Sequence, residues 1–300
     1  MTGFSADWLR LREPFDHRAR ATAAGALDLR GRLARWRGRA PDKALAVVDL
    51  ACGHGANLRE LAPGLGGAQR WRLFDHDPAL LAAVPQTLSQ WALRHGYRFT
   101  HDGTAGGLPA ICIAGPDFHV EAVLHRVDLA RDLATLDFSD TPLVTASALL
   151  DLVSASWLQT LVLKSQAARA ALLFSLTVDG RTMWDPADRD DERVHGLFSQ
   201  HQRGDKGFGP ALGSEAATAA LLQLAGAGYE TVQVQTDWII DGAQAQEMQL
   251  AMVEGMAAAA LEQSPAEEGA VLAWQGRRGA GIGSCRLRVG HVDIAATPGW

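Results

Sequence analysis

Apolar residues in this 300-residue chain fall in short continuous blocks separated by longer mixed segments. Leu45-Ala-Val-Val48, Trp71-Arg-Leu-Phe74, Leu143-Val-Thr-Ala146 and Ala171-Leu-Leu-Phe-Ser-Leu176 predict strands. The fourth and fifth of the strands lack alternation, as expected where both faces are covered. Helices are predicted from about Ala56 to Pro63-Gly64, from Pro78 towards Arg94, and from Ala216 to Ala225, where Gly226 and Gly228 stop the run. Tyr97 to Thr100, Ala110 to Ala114 and His119 to Arg126 predict a third strand preceded by a hairpin insertion at about 97–118.

Other segments carry different patterns. Thr231 to Thr236 alternates strictly and predicts a half-exposed edge strand. Cys285 to Val289 alternates too, and the phase slips at Gly290-His291, which predicts a bulge before Val292 and Ile294. Ala243 to Gln263 reads as a helix whose Met248, Met252 and Met256 form a core stripe. Residues 1–43 predict a helical cap with a break at Pro14, since Ala23, Leu27 and Leu33 cannot build a core alone. Residues 177–214 are polar and punctuated by Gly and Pro, the mark of a long functional connection. Five strand-helix units followed by strand-helix-strand predict an α/β, doubly wound (Rossmann-like) sheet.

The chemistry concentrates at Asp49-Leu-Ala-Cys-Gly53-His-Gly55-Ala-Asn57-Leu-Arg59. A buried strand ending in an acid, then glycines at 53 and 55, lets the backbone turn sharply beside a helix start whose free N–H groups face the same crevice. A dinucleotide fingerprint requires a small residue three positions after Gly55, and Leu58 stands there. The pattern resembles the first motif of class I S-adenosylmethionine-dependent methyltransferases of small-molecule type, with Ala51 where many members carry glycine.

That resemblance implies a seven-stranded sheet in the order 3-2-1-4-5-7-6, its last strand antiparallel, covering about Ala44 to Ile294. The domain expectation is a cap over 1–43 and a methyltransferase domain over 44–300. It also implies S-adenosyl-L-methionine as cofactor, with Asp49 and the Gly53 to Gly55 backbone holding its amino-acid moiety and Ala51 and Asn57 also among the cofactor-binding residues. Asp75 would serve the ribose, with His76 packing against the ligand, Asp128 and Leu129 would serve the adenine, and Ser147 the same crevice. A carboxylate at Asp75 suits both ribose hydroxyls of this cofactor or of NAD, and it also suits a helix N-cap shared with Asp77. Asp128 reads equally as a loop cap. Arg20 is a candidate for the methionine carboxylate or a solvent-facing arginine.

The fourth strand ends Thr145-Ala146-Ser147-Ala148, without the Asn/Asp-Pro-Pro-Tyr/Phe of enzymes that methylate nucleobase or glutamine nitrogens. His201, in the polar connection, is the first candidate for a general base, ahead of His195 and Asp151, against a plain surface histidine among ten. Trp157, Trp184 and Trp238 suit either an acceptor pocket or the core.

Composition narrows the partners. Residues 1–43 hold ten Lys/Arg against five acids, while the whole chain is at −6. Aromatic interleaving is limited to Trp36, so a solvated helix face is preferred over a nucleic-acid arm. Three cysteines without CxxC or Cys/His spacing suggest neither disulfides nor zinc. No metal is expected, no apolar run reaches bilayer length, and a cytoplasmic location follows. The expectation is therefore methyl transfer to O or N of a small molecule. The alternatives are a noncatalytic adenosylhomocysteine- or partner-binding protein and an NAD(P)-dependent oxidoreductase.

Overall fold

The computed structural model describes residues 6–105 and 107–299. Its first half alternates strand and helix: β1 (Leu45–Leu50), α4 (Ala56–Leu65), β2 (Gly67–Asp75) and α5 (Pro78–Arg94). Before them come α1 (Ala6–Leu27), α2 (Leu29–Arg32) and α3 (Ala34–Arg39). After them, β3 (Arg98–Ala105), β4 (Leu108–Ala114) and β5 (Phe118–Arg126) lead into α6 (Leu129–Asp132), β6 (Leu143–Ser147) and α7 (Ala155–Ala167).

β1 has apolar residues on both sides because two cores meet across it. Val48 and Leu50 pack with α7 and with α9 (Ala216–Gly226), whereas Leu45 and Val47 pack with α4 and α5. Successive side chains of a strand point to opposite faces, so each such Val or Leu contributes roughly 1.5–3 kcal/mol to one core or the other. Asp77 and Ser154 cap α5 and α7 with their side-chain oxygens.

Among the described residues the sheet has ten strands, which corrects the expected seven. Its order is β3-β4-β5-β2-β1-β6-β7-β10-β8, where β7 is Ala171–Asp185, β8 Tyr229–Gln235 and β10 Arg286–Pro298; β9 (Trp238–Ile240) pairs with β10 off this path. The additions are the hairpin, which joins the sheet at the β5 edge, and β9; what is left without them is β5-β2-β1-β6-β7-β10-β8. β10 runs antiparallel to both β7 and β8, with a register shift between Val289 and His291.

Two further expectations are corrected. Residues 177–214 are not an open connection: β7 continues to Asp185 against β10, and α8 (Asp191–Gln202) follows. This stretch belongs to a third core with α10 (Gln246–Gln263), α11 (Glu268–Ala280) and Trp274. The extended ribbon is covered on one face only, and its half-polar composition follows from that. Pro14 lies inside a continuous α1. The buried stripe Arg12, Phe15, Ala19, Ala23 and Leu27 anchors the helix through tertiary packing that outweighs the lost backbone hydrogen bond. Among the described residues no helix is long and apolar enough to cross a membrane.

Candidate functional site

The β1–α4 turn is built from left-handed backbone. Ala51, Gly53 and Gly55 have φ of 54°, 54° and 79°. Cys52 N–H donates to the Phe74 carbonyl at 3.0 Å and Gly53 N–H to Asp75 Oδ2 at 2.8 Å, so β1 and β2 close the turn together. A side chain on Gly55 would meet Val84 and Leu88 at 3.5 Å in addition to its conformational strain.

Behind the turn lies a buried polar network. Asn57 Nδ2 donates to Asp49 Oδ1 at 2.8 Å and to Thr145 Oγ1 at 2.9 Å, while Asn57 Oδ1 accepts from Arg20 Nη2 at 2.8 Å. Thr145 in turn donates to the Leu173 carbonyl at 3.0 Å. Asp49 is 0% exposed, and among the described residues its Oδ2 has no hydrogen-bond partner. Burial pushes its pKa up to about 7 against the opposing pull of Asn57 and Arg20.

In front of the turn is a cavity of about 580 Å³. Ala51, Gly53, Asn57, Asp75, His76, Asp128, Leu129 and Ser147 line it, all at or just beyond the carboxyl ends of β1, β2, β5 and β6 except Asn57 on α4. Asp49, Gly55, Arg20 and His201 do not line it. Asp49 is screened by Asn57, and Gly55 backs onto α5. Arg20 is buried, not solvent-facing, and borders a separate space of about 170 Å³ with Ser175 and Asp293.

Both structural roles considered for the acids are present. Asp75 Oδ1 accepts from Asp77 N–H at 3.0 Å, Asp77 caps α5, and Asp128 Oδ1 accepts from Ala130 N–H at 3.1 Å. Both Asp75 and Asp128 still face the cavity.

His201 lies in the last turn of α8 with Nε2 3.0 Å from Glu262 Oε2, and the neighbouring Gln202 reaches the cavity in its place. Helix geometry turns successive residues about 100° apart, so the two cannot share a face. His195 packs its ring edge-on to Trp274, and burial lowers its pKa. Trp157, Trp184 and Trp238 are core residues outside the cavity lining. Asp151, in a single turn after β6, does line the cavity; burial raises its pKa to about 6, with Arg12 pulling it down.

The sequence reading missed the α1 contribution: Leu9, Arg12, Glu13 and Asp16 also line the cavity. Asp16 accepts from Arg12 Nε at 2.9 Å and from Trp238 Nε1 at 3.0 Å. The available signal was an Arg12/Asp16 pair at i,i+4 flanking Phe15 on the buried face. Glu13 pairs with Arg59, whose Nη2 lies 3.1 Å from His54 Nδ1. Burial and Arg59 hold the His54 pKa below its usual value.

No family model matches the chain, and no curated protein matches it. Solved structures do. A cyclopropane-fatty-acyl-phospholipid synthase-like protein from Lactobacillus casei is 13% identical with a TM-score of 0.50, covering 98% of this chain and 94% of that one. Phosphoethanolamine N-methyltransferase 2 of Haemonchus contortus, in complex with phosphomonomethylethanolamine and S-adenosylhomocysteine, has TM-score 0.41 at 13% identity, covering 99% and 59%. Geranyl diphosphate C-methyltransferase of Streptomyces coelicolor, in complex with Mg²⁺, geranyl diphosphate and S-adenosyl-L-homocysteine, has TM-score 0.39 at 11% identity, covering 90% and 80%. The likeness is one of fold: the chain shares a Rossmann-like α/β architecture with the synthase-like protein.

Proposed function

We propose that the protein is an S-adenosylmethionine-dependent methyltransferase acting on an O or N atom of a small molecule. One observation carries this reading: the left-handed turn at 51–55, Asp75 and Asp128 open together onto a single cavity of about 580 Å³. That volume lies within the roughly 300–1,000 Å³ of small-ligand sites. The residues present fit the cofactor. Gly53 has no side chain where the backbone borders the cavity, and acids surround the space where a sulfonium and an ammonium would sit.

When bound, S-adenosyl-L-methionine supplies a methyl group already activated by its sulfonium. By resemblance, Asp75 holds the ribose, with His76 packing against the ligand, Asp128 and Leu129 hold the adenine edge, and Gly53, Asn57 and Ser147 the remainder. Asp49 acts through Asn57, fixing its amide from behind. α1 and α8 form walls of the cavity and would limit the water around a bound acceptor. Asp151, and not His201, stands where it can take a proton from an acceptor.

Calorimetric titration with S-adenosylmethionine, S-adenosylhomocysteine and NAD tests the proposal. Saturable binding of the first two and none of NAD is expected. Binding of NAD without S-adenosylhomocysteine would overturn it. Methyl release over a panel of metabolites then separates a catalyst from a protein that only retains the cofactor.

A further inference from the structure

Most charged groups lining the cavity already have partners within the chain. Arg12 donates Nε and Nη2 to the two oxygens of Asp16, and its guanidinium lies 5.1 Å from the Trp238 ring centroid. Lys206 Nζ donates to the His201 carbonyl at 3.2 Å. Glu13 is held by Arg59, and Asp205 accepts the N–H groups of Gly207 and Gly209. Asp151 differs: among the described residues no hydrogen bond from another residue reaches its carboxylate, only its own backbone N–H, yet it borders the same space. Phe198 and Phe208 line that space too, and Phe208 is fixed edge-on against Trp157 with ring centroids 5.4 Å apart.

Resting on the methyltransferase reading, we infer that the methyl acceptor is an amine that enters as its ammonium and pairs with the Asp151 carboxylate, its apolar body lying against Phe198 and Phe208. A half-buried carboxylate with no ion-pair partner in contact, Arg12 being held by Asp16, is costly, and an ammonium removes that cost. An aromatic face attracts the same cation. An anionic acceptor would instead meet Asp151 and Asp16 while both nearby cations are already engaged. Burial, which raises the Asp151 pKa to about 6, also makes it a better proton acceptor than an exposed aspartate. In the transfer, Asp151 takes one proton from the ammonium and the freed lone pair forms the N–C bond. The S–C bond breaks with its electrons on sulfur, and Asp151 later returns its proton to solvent.

The test uses the full chain saturated with S-adenosylhomocysteine, whose own binding isotherm is recorded first and judges the methyltransferase reading separately. 2-Phenylethylamine, 2-phenylethanol and phenylacetate are then titrated as probes of equal shape and different charge. The amine should bind about tenfold or more tighter than the alcohol, with phenylacetate weakest. Asp151→Asn should bring the amine-to-alcohol ratio close to one, its S-adenosylhomocysteine isotherm reporting that it is folded. Equal or absent binding of the three probes by the wild type, tighter binding of phenylacetate, or a preference that survives in Asp151→Asn would overturn the inference. Should the variant not fold, the wild-type comparison decides alone.

Discussion

Two aspartates, Asp49 and Asp151, set the pH behaviour of this protein in different ways. Asp49 has a folded pKa raised to about 7, above its unfolded value, so the native state binds a proton that the unfolded chain has lost. Its contribution to stability is therefore largest at low pH and declines as pH rises from about 4 to about 7, by a few kcal/mol at most. Asp49→Asn retains an acceptor for Asn57 and removes this ionisation. Urea unfolding of the variant is expected to lose the decline over that window; an unchanged pH profile would show that Asp49 is not the group responsible. Asp151 affects catalysis instead. Methyl transfer should rise with pH through about 6 as the carboxylate ionises, with Arg12 and Asp16 facing the same cavity, and Asp151→Asn should abolish that rise together with most of the rate, by about 10²-fold or more. A pH–rate profile on both proteins measures this.

Left-handed backbone at the turn gives a second residue-scale expectation. Gly53→Ala places a Cβ only in ordinary contact with Leu9, at 3.5 Å, so its cost comes from φ = 54° and should be about 1–2 kcal/mol. Ala51 already bears that strain at the same φ. Ala51→Gly relieves it and restores chain entropy to the unfolded state, leaving a net change within about 1 kcal/mol. Denaturant midpoints of the two variants should therefore move very differently, although both exchange Gly and Ala in one loop.

At the scale of elements, α1 is the least expected contributor. Its sequence reads as a cap interrupted by Pro14, yet it runs unbroken and delivers Arg12, Glu13 and Asp16 to the cavity. Packing decides this: Phe15, Ala19 and Ala23 hold the helix on the body, and the proline is tolerated at a cost. Phe15→Ala should lower stability by about 3–5 kcal/mol through the cavity it leaves. Pro14→Ala restores a backbone donor to the helix interior and should raise stability, by up to about 3 kcal/mol. Thermal unfolding checks both, and a loss on Pro14→Ala would mean that the proline relieves strain instead of causing it. The β7–β10 ribbon makes a similar point. Its Gly and Pro residues resemble a loop because only one face is packed, by α10 and α11.

At the scale of the molecule, ligand binding and folding are linked through loops that come from four strands. S-adenosylhomocysteine at about 100 times its Kd should stabilise the fold by about 2.7 kcal/mol, which for a chain of this length is a rise of about 4 °C in Tm. NAD at the same concentration should leave Tm unchanged. Scanning calorimetry with each ligand measures the difference.

What the sequence determined by itself is the part governed by local rules. Continuous apolar runs specify strands covered on both sides, Asp77-Pro78 starts a helix, and an acid followed by Gly53 and Gly55 makes a tight turn beside a helix N-terminus. The slip at Gly290-His291 was legible in the same way, as an interruption of period two. Only the tertiary structure decided which of the motif residues reach open space. Asp49 and Arg20 are buried behind Asn57, whereas Asp16 and Asp151, from distant parts of the chain, border the cavity. Burial and exposure depend on neighbours brought together by the sheet order, and a spacing rule along one segment carries no information about them.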